Sequence, residues 1–309
     1  MIYNFGSAIL RAVGDTKRPL YYLSAAGVIN IGLNLLFVIV FRMSVAGVAL
    51  ATVISETISA GLVLRCMMRE KGCIRLTLSN LKIHPGRFAE ILRIGFPASL
   101  QGVIFAISNV IIQSSVNSFG STVVAGNSAA SNIEGFVYVS MNSFYQGTIS
   151  FTSQNVGAGK YERVNKILFT AQACVIVTGL VLGNLAVLFG HDLLGFYTKS
   201  AAVKAAGMNR LKIICTVYAL CGIMDVMVGS LRGLGYSVMP TIVSLVGACG
   251  LRLLWIFTFF RMYGQFHTPQ SLYLTYPASW LITICAHVIC FVIVRRKIGR
   301  RLVAQSSVQ

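Results

Sequence analysis

An all-helical, polytopic membrane fold is predicted by three features of this 309-residue chain. Hydrophobic residues make up 56% and charged ones only 11%, where a water-soluble domain carries about 25% charged residues. Long windows are almost free of charge: residues 94–159 hold one acid, Glu134, and no base. The 26 Lys and Arg residues, against 8 acids, lie between the apolar runs and not on one patch. That distribution excludes a nucleic-acid partner despite the net charge of +18 and fits the positive-inside bias of membrane proteins.

The elements follow in order. Residues 1–11 form a partial span, closed by the turn-rich stretch RAVGDTKRPL. Eight full spans are expected at about 20–41, 45–64, 94–118, 123–150, 168–190, 213–231, 239–260 and 270–294, each near the roughly 20 apolar residues a bilayer crossing needs. These runs are apolar on all sides, which rules out the alternating segments of a membrane β-barrel. Between spans two and three, the polar stretch 65–93 holds FAEILR after Pro85, which reads as a short amphipathic helix or a solvated linker. Pro97, in GFPASLQ, either starts a helix or loosens one by removing a backbone hydrogen bond. Numbering the gaps alternately puts 19 Lys and Arg on one side and 6 on the other. The richer side, with the C-terminus, is expected in the cytoplasm. The eight cysteines sit mostly singly in apolar runs, with no C-x-x-C pair; neither disulfides nor a metal–thiolate site are expected.

The turn near the start returns near the end. RAVGDTKRPL at 11–20 and RGLGYSVMPT at 232–241 share Arg, Gly and Pro at an offset of 221. Each is followed by similar spans, ending in FRM at Met43 and Met262. Two parallel repeats are therefore expected. By symmetry the first would begin about 128 residues before Met1, so the sequence reads as N-terminally truncated. Arg11 and Arg232 are expected to anchor helix ends at the headgroups, snorkelling outward.

Three acids fall inside spans: Glu56, Glu134 and Asp225. A carboxylate in hydrocarbon costs about 2.5–3.5 kcal/mol on insertion scales, so each needs a partner or a watery cavity. Asp225 has two candidate partners, Arg232 two helical turns on and Arg252, read as the one base deep in a span. Glu134 lies in an unusually polar run with Asn127, Asn132, Tyr138, Asn142 and Gln146; Asn109 and Gln113 lie a turn apart on the preceding span. Such oxygen-rich surroundings either hold H+, Na+ and cationic or polar ligands, or join helices by hydrogen bonds. The four histidines are scattered, and no paired Asp or His motif suggests a membrane enzyme.

The stretches RAVGDTKRP with NIGLN, GVALATVISETIS, LRIGFPASLQ, SQNVGAGKYERV and GSLRGLGYSVMP together resemble the multidrug and toxic compound extrusion (MATE) family. The resemblance covers nearly the whole chain in family order. It implies a two-lobe helical bundle of twelve helices, here with eight full spans plus a partial first one, an incomplete N-lobe and a complete C-lobe. Residues 1–64 would end the N-lobe, 65–92 form the cytoplasmic inter-lobe loop, 93–297 the C-lobe and 298–309 a cytoplasmic tail. It further implies a monomeric antiporter in the cell membrane that exports drugs or organic, often cationic, compounds, coupled to H+ or Na+ and needing no other cofactor. The candidate ion-coupling and cavity residues are Asp225, Glu134, Asn132, Asn109, Gln113 and Glu56, with Na+ at Asp225 and Glu134 as the one metal expected. No acid stands in LRIGFPASLQGVIFAISNVIIQ, where some relatives carry one, so these candidates rest on burial. The alternative is a flippase for lipid-linked oligosaccharides, which needs several basic residues facing its cavity.

Overall fold

The computed structural model describes residues 1–72 and 74–306. Cys73 and the last three residues of the expected tail lie outside them. Every regular element among the described residues is helical. The helices are α1 (Ile2–Ala12), α2 (Lys17–Leu35), α3 (Ser44–Arg69), α4 (Pro85–Asn117), α5 (Ser121–Gly157), α6 (Arg163–Leu188), α7 (Gly190–Gly195), α8 (Ala201–Ile214), α9 (Ala219–Gly233), α10 (Val238–Ser244), α11 (Leu251–Trp255) and α12 (Pro269–Ser306). Two compact units divide at Met1–His84 and Pro85–Gln309.

Six stretches are long and apolar enough to cross a membrane: Lys17–Val40, Ser44–Arg69, Pro85–Asn117, Arg163–Leu188, Val238–Phe260 and Pro269–Arg300. The segments Ala201–Val217 and Ala219–Gly233, bent by 48° at Tyr218, make a seventh if they form one span. α5 has ample length at 37 residues but is too polar to count by composition. Against the eight expected spans, this measure finds six helices, seven with the bent pair, and a long polar helix in place of the expected fourth span. FAEILR is continuous with α4, and Pro97 lies inside that helix and not at its start. Pro85 and Pro269 open α4 and α12, where a missing N–H leaves nothing unpaired. The outward faces are apolar: Phe136 and Phe169 are 76% and 71% exposed, a surface suited to lipid and costly in water.

In the first unit, Leu10 of α1 packs with Val63, Cys66 and Met67 of α3. Asn30 of α2 donates to Ser55 of α3 at 3.0 Å, and Arg18 pairs with Glu70 at 2.5 Å. In the second unit, α6 approaches α9 and the turn before it through Gly179 and Gly183. A β-carbon at Gly183 would stand 2.2 Å from the Cys215 carbonyl oxygen, and one at Gly179 would meet the Ala219 backbone at 2.7 Å. Small residues four apart allow helix backbones to touch within a membrane.

The repeated turn folds the same way twice. Gly14 has φ +89° and Gly235 φ +87°, the left-handed geometry that ends a helix with least strain at glycine. Asp15 N–H donates to Leu10 O, and Tyr236 N–H to Leu231 O, both at 3.0 Å. Each copy then ends its following span in a π-helical segment, Leu36–Val40 and Ile256–Phe260. The second copy has an additional one at Leu245–Gly250.

Candidate functional site

α5 carries its polar residues as one stripe. Asn127, Ser131, Glu134, Tyr138, Asn142 and Tyr145 recur every three or four residues, so they share a helix face. That face lines a cavity of about 680 Å³ in the second unit. α9 contributes Cys221, Asp225, Val228 and Arg232 at the same spacing, and α4 adds Gln101, Phe105, Asn109 and Gln113. Arg252 of α11 and Tyr276 and Trp280 of α12 complete the wall.

At one part of the cavity sits a buried ion pair. Arg210 Nε and Nη2 donate to the two carboxylate oxygens of Glu134, each at 2.7 Å. Its Nη1 donates to Asn127 Oδ1 at 2.7 Å. Asn127 Nδ2 donates on to Gln113 Oε1 at 2.9 Å, and Gln113 Nε2 to Asn117 at 3.1 Å. The guanidinium also lies 5.5 Å from the ring centres of Tyr273 and Tyr276. Glu134 and Arg210 are each 6% exposed. A fork of two parallel charge-assisted bonds is among the strongest hydrogen-bonded arrangements open to a carboxylate.

This arrangement corrects three expectations. The sequence places Arg210 in a gap outside the spans, yet it is a buried residue of α8. The signal is masked by Lys204 and Lys212, which flank it and break the apolar run; Lys212 itself is exposed. Arg252 is therefore not the one base buried among the helices. And Na+ at Glu134 is disfavoured, because both oxygens already serve Arg210, whose charge repels a second cation.

Asp225 is different. It lines the cavity but makes no hydrogen bond or ion pair among the described residues; Arg232 acts on it only through space. Arg232 does not snorkel outward as expected. It turns inward and donates to the Tyr145 hydroxyl, to Gln101 Oε1 at 2.9 Å and to Thr241 Oγ1 at 3.3 Å. Four helices, α4, α5, α9 and α10, are joined through this one side chain. Tyr138 accepts from Asn142 at 3.3 Å nearby.

Of the remaining candidates, Asn109 and Gln113 line the cavity. Asn132 does not: it is exposed, one residue and so about 100° off the lining stripe. Glu56 is an exposed residue of α3 in the first unit.

The MatE family model matches residues 97–258. The probable multidrug resistance protein YpnP of Bacillus subtilis (strain 168) is 30% identical over 284 residues, 92% of this chain and 62% of its own length. The multidrug export protein MepA of Staphylococcus saprophyticus is 22% identical over 236 residues, covering 76% of this chain and 52% of its own. The chain thus spans about half to three-fifths of the length of these curated relatives. A crystal structure of the Vibrio cholerae MATE transporter VcmN in the bent form superposes with a TM-score of 0.82 at 19% identity, covering 96% of this chain and 66% of its own. That last likeness is one of fold.

Proposed function

The chain belongs to the MatE family, and on that premise we propose that it forms part of an ion-coupled antiporter exporting small organic compounds, drugs among them, across the cell membrane. In this reading the second unit is a complete six-span lobe, with α5 and the bent α8–α9 pair as two of its spans. The ends rich in Lys and Arg, and the C-terminus, face the cytoplasm, and the protein is a monomer.

One observation carries the reading: Asp225 is a carboxylate inside the cavity with no partner holding its charge among the described residues. An unpaired acid among helices binds H+ or Na+ readily, because either removes an uncompensated charge. Neutralisation then shifts the balance between the states open to either side. Glu134 is poorly suited to that task, since Arg210 compensates it permanently. Its part is to hold α5 against α8.

The flippase reading also gains an observation. Three arginines, Arg210, Arg232 and Arg252, line the cavity, where the sequence offers Arg252 alone. One of them is neutralised by Glu134, which leaves the antiporter the better-supported reading.

The test is Asp225→Asn, expressed in an efflux-deficient host, with efflux of a cationic dye (ethidium) and an anionic one (a dansyl carboxylate) each driven by imposed pH or Na+ gradients. Ion-driven efflux is lost while the protein still inserts. Parental export rates across a range of pH and Na+ would refute Asp225 as the coupling group.

A further inference from the structure

We infer that Arg252 is the recognition site for a compact oxyanion (a carboxylate, sulfonate or phosphate) carried on an apolar body, so that the exported compound is an amphipathic organic anion. This rests on the export reading above and names its substrate class.

Arg252 is 5% exposed and lines the cavity. Its single hydrogen bond is from Nε to Ser279 Oγ at 2.9 Å. The guanidinium lies over the Tyr276 ring at 4.1 Å from its centre and 5.8 Å from that of Trp280. Both Nη groups lack an acceptor among the described residues, and no acid forms an ion pair with the guanidinium there. A neutral hydroxyl and two ring faces offset only part of the cost of desolvating a full positive charge. The neighbouring arginines differ. Arg210 spends its donors on Glu134 and Asn127, and Arg232 spends both Nη groups on Tyr145, Gln101 and Thr241, leaving only its buried Nε without a partner among the described residues.

The fork of Arg252 is thus pre-aimed and unspent. Ser279 holds Nε and the Tyr276 ring lies against the guanidinium, which leaves the two Nη groups of this cavity-lining residue for a ligand. Two parallel N–H donors match the spacing of two oxygens on one acid group. The apolar part of the cavity lining, with Phe105, Met224 and Val228, accepts an apolar body. The cavity as a whole balances toward anions: Glu134 cancels Arg210, and Asp225 stands against both Arg232 and Arg252.

The purified chain in phosphatidylcholine nanodiscs tests this directly. Trp255→Phe leaves Trp280 as the sole tryptophan of the two, and energy transfer from it reports occupancy. The probes share one aromatic body: dansylglycine is anionic, dansylamide neutral and dansylcadaverine cationic. Dansylglycine should bind about tenfold or more tighter than either of the others, the worth of a charge-assisted fork. Arg252→Gln should reduce that preference to about twofold or less, and Arg252→Lys, which keeps charge but not the fork, should fall between. Thermal unfolding of both variants separates lost recognition from lost folding, and Arg252→Lys decides if Arg252→Gln does not fold. Phosphatidylglycerol in the nanodisc assigns the source: competition with dansylglycine identifies a lipid headgroup, and its absence a free organic anion. Equal binding of the three probes, no binding, or a preference that survives both substitutions would overturn the proposal. Because this is equilibrium binding without a gradient, it stands or falls separately from Asp225-dependent coupling.

Discussion

Glu134→Gln removes one charge from the buried pair and almost nothing from its shape. In the parent, Arg210 makes two bonds of 2.7 Å to Glu134, both charge-assisted and each worth about 1.5–3 kcal/mol. Glutamine returns one neutral acceptor, worth about 1 kcal/mol, and turns an NH2 toward Arg210, donor against donor. The guanidinium keeps Asn127 and the faces of Tyr273 and Tyr276 but loses its counter-charge at 6% exposure. The net loss is about 3–5 kcal/mol, the cost of stranding one member of a buried pair. Unfolding followed with a thiol-reactive dye reads this loss, because Cys215 and Cys221 are buried nearby. The midpoint should fall by on the order of 10 °C. The double substitution Glu134→Leu with Arg210→Met removes both charges and should return to within about 1 kcal/mol of the parent. A single variant within about 2 °C of the parent, or a double variant as unstable as the single one, would show that cavity water and not Glu134 compensates Arg210.

Two further outcomes follow from the packing. Gly183→Ala should abolish a monodisperse folded chain in size-exclusion chromatography. Its methyl would meet a backbone oxygen at 2.2 Å, and overpacking that forces backbone to move costs about 3 kcal/mol at the upper end of its usual range. Asn127→Ala should lower stability by about 1.5–3 kcal/mol, since it strips an acceptor from Arg210, whereas Asn132→Ala should stay within about 0.5 kcal/mol; the same dye assay compares them.

The apolar runs are enough to place the long helices, because a bilayer demands a fixed length of hydrocarbon-compatible chain. The repeat is equally legible, since glycine and proline at matched spacing dictate the same turn. α8 is not, because Lys204 and Lys212 give it the composition of a loop while Arg210 faces inward. The Glu134 partner stands 76 residues away, a separation that no local pattern encodes. The stripe on α5 is present in the sequence as helical spacing from Asn127 to Tyr145; that spacing exchanges Asn132 for Ser131. Arg232 departs from expectation because a position at a helix end does not fix the direction of a side chain. The π-helical segments carry no compositional mark that distinguishes them from α-helix.

Matched turns at Gly14 and Gly235 bear on how this chain acquired its chemistry. A duplicated scaffold frees one copy to change while the other keeps the shape. At the offset of 221, Asp225 answers to Asn4, and Arg252 to Ile31. The helix–turn–helix closed by glycine thus recurs in both copies, the second differing by one more π-helical segment. At these two positions the ionisable side chains belong to the second copy alone. Selection on transport can therefore act on a few side chains of the later copy without disturbing the architecture that the two halves share.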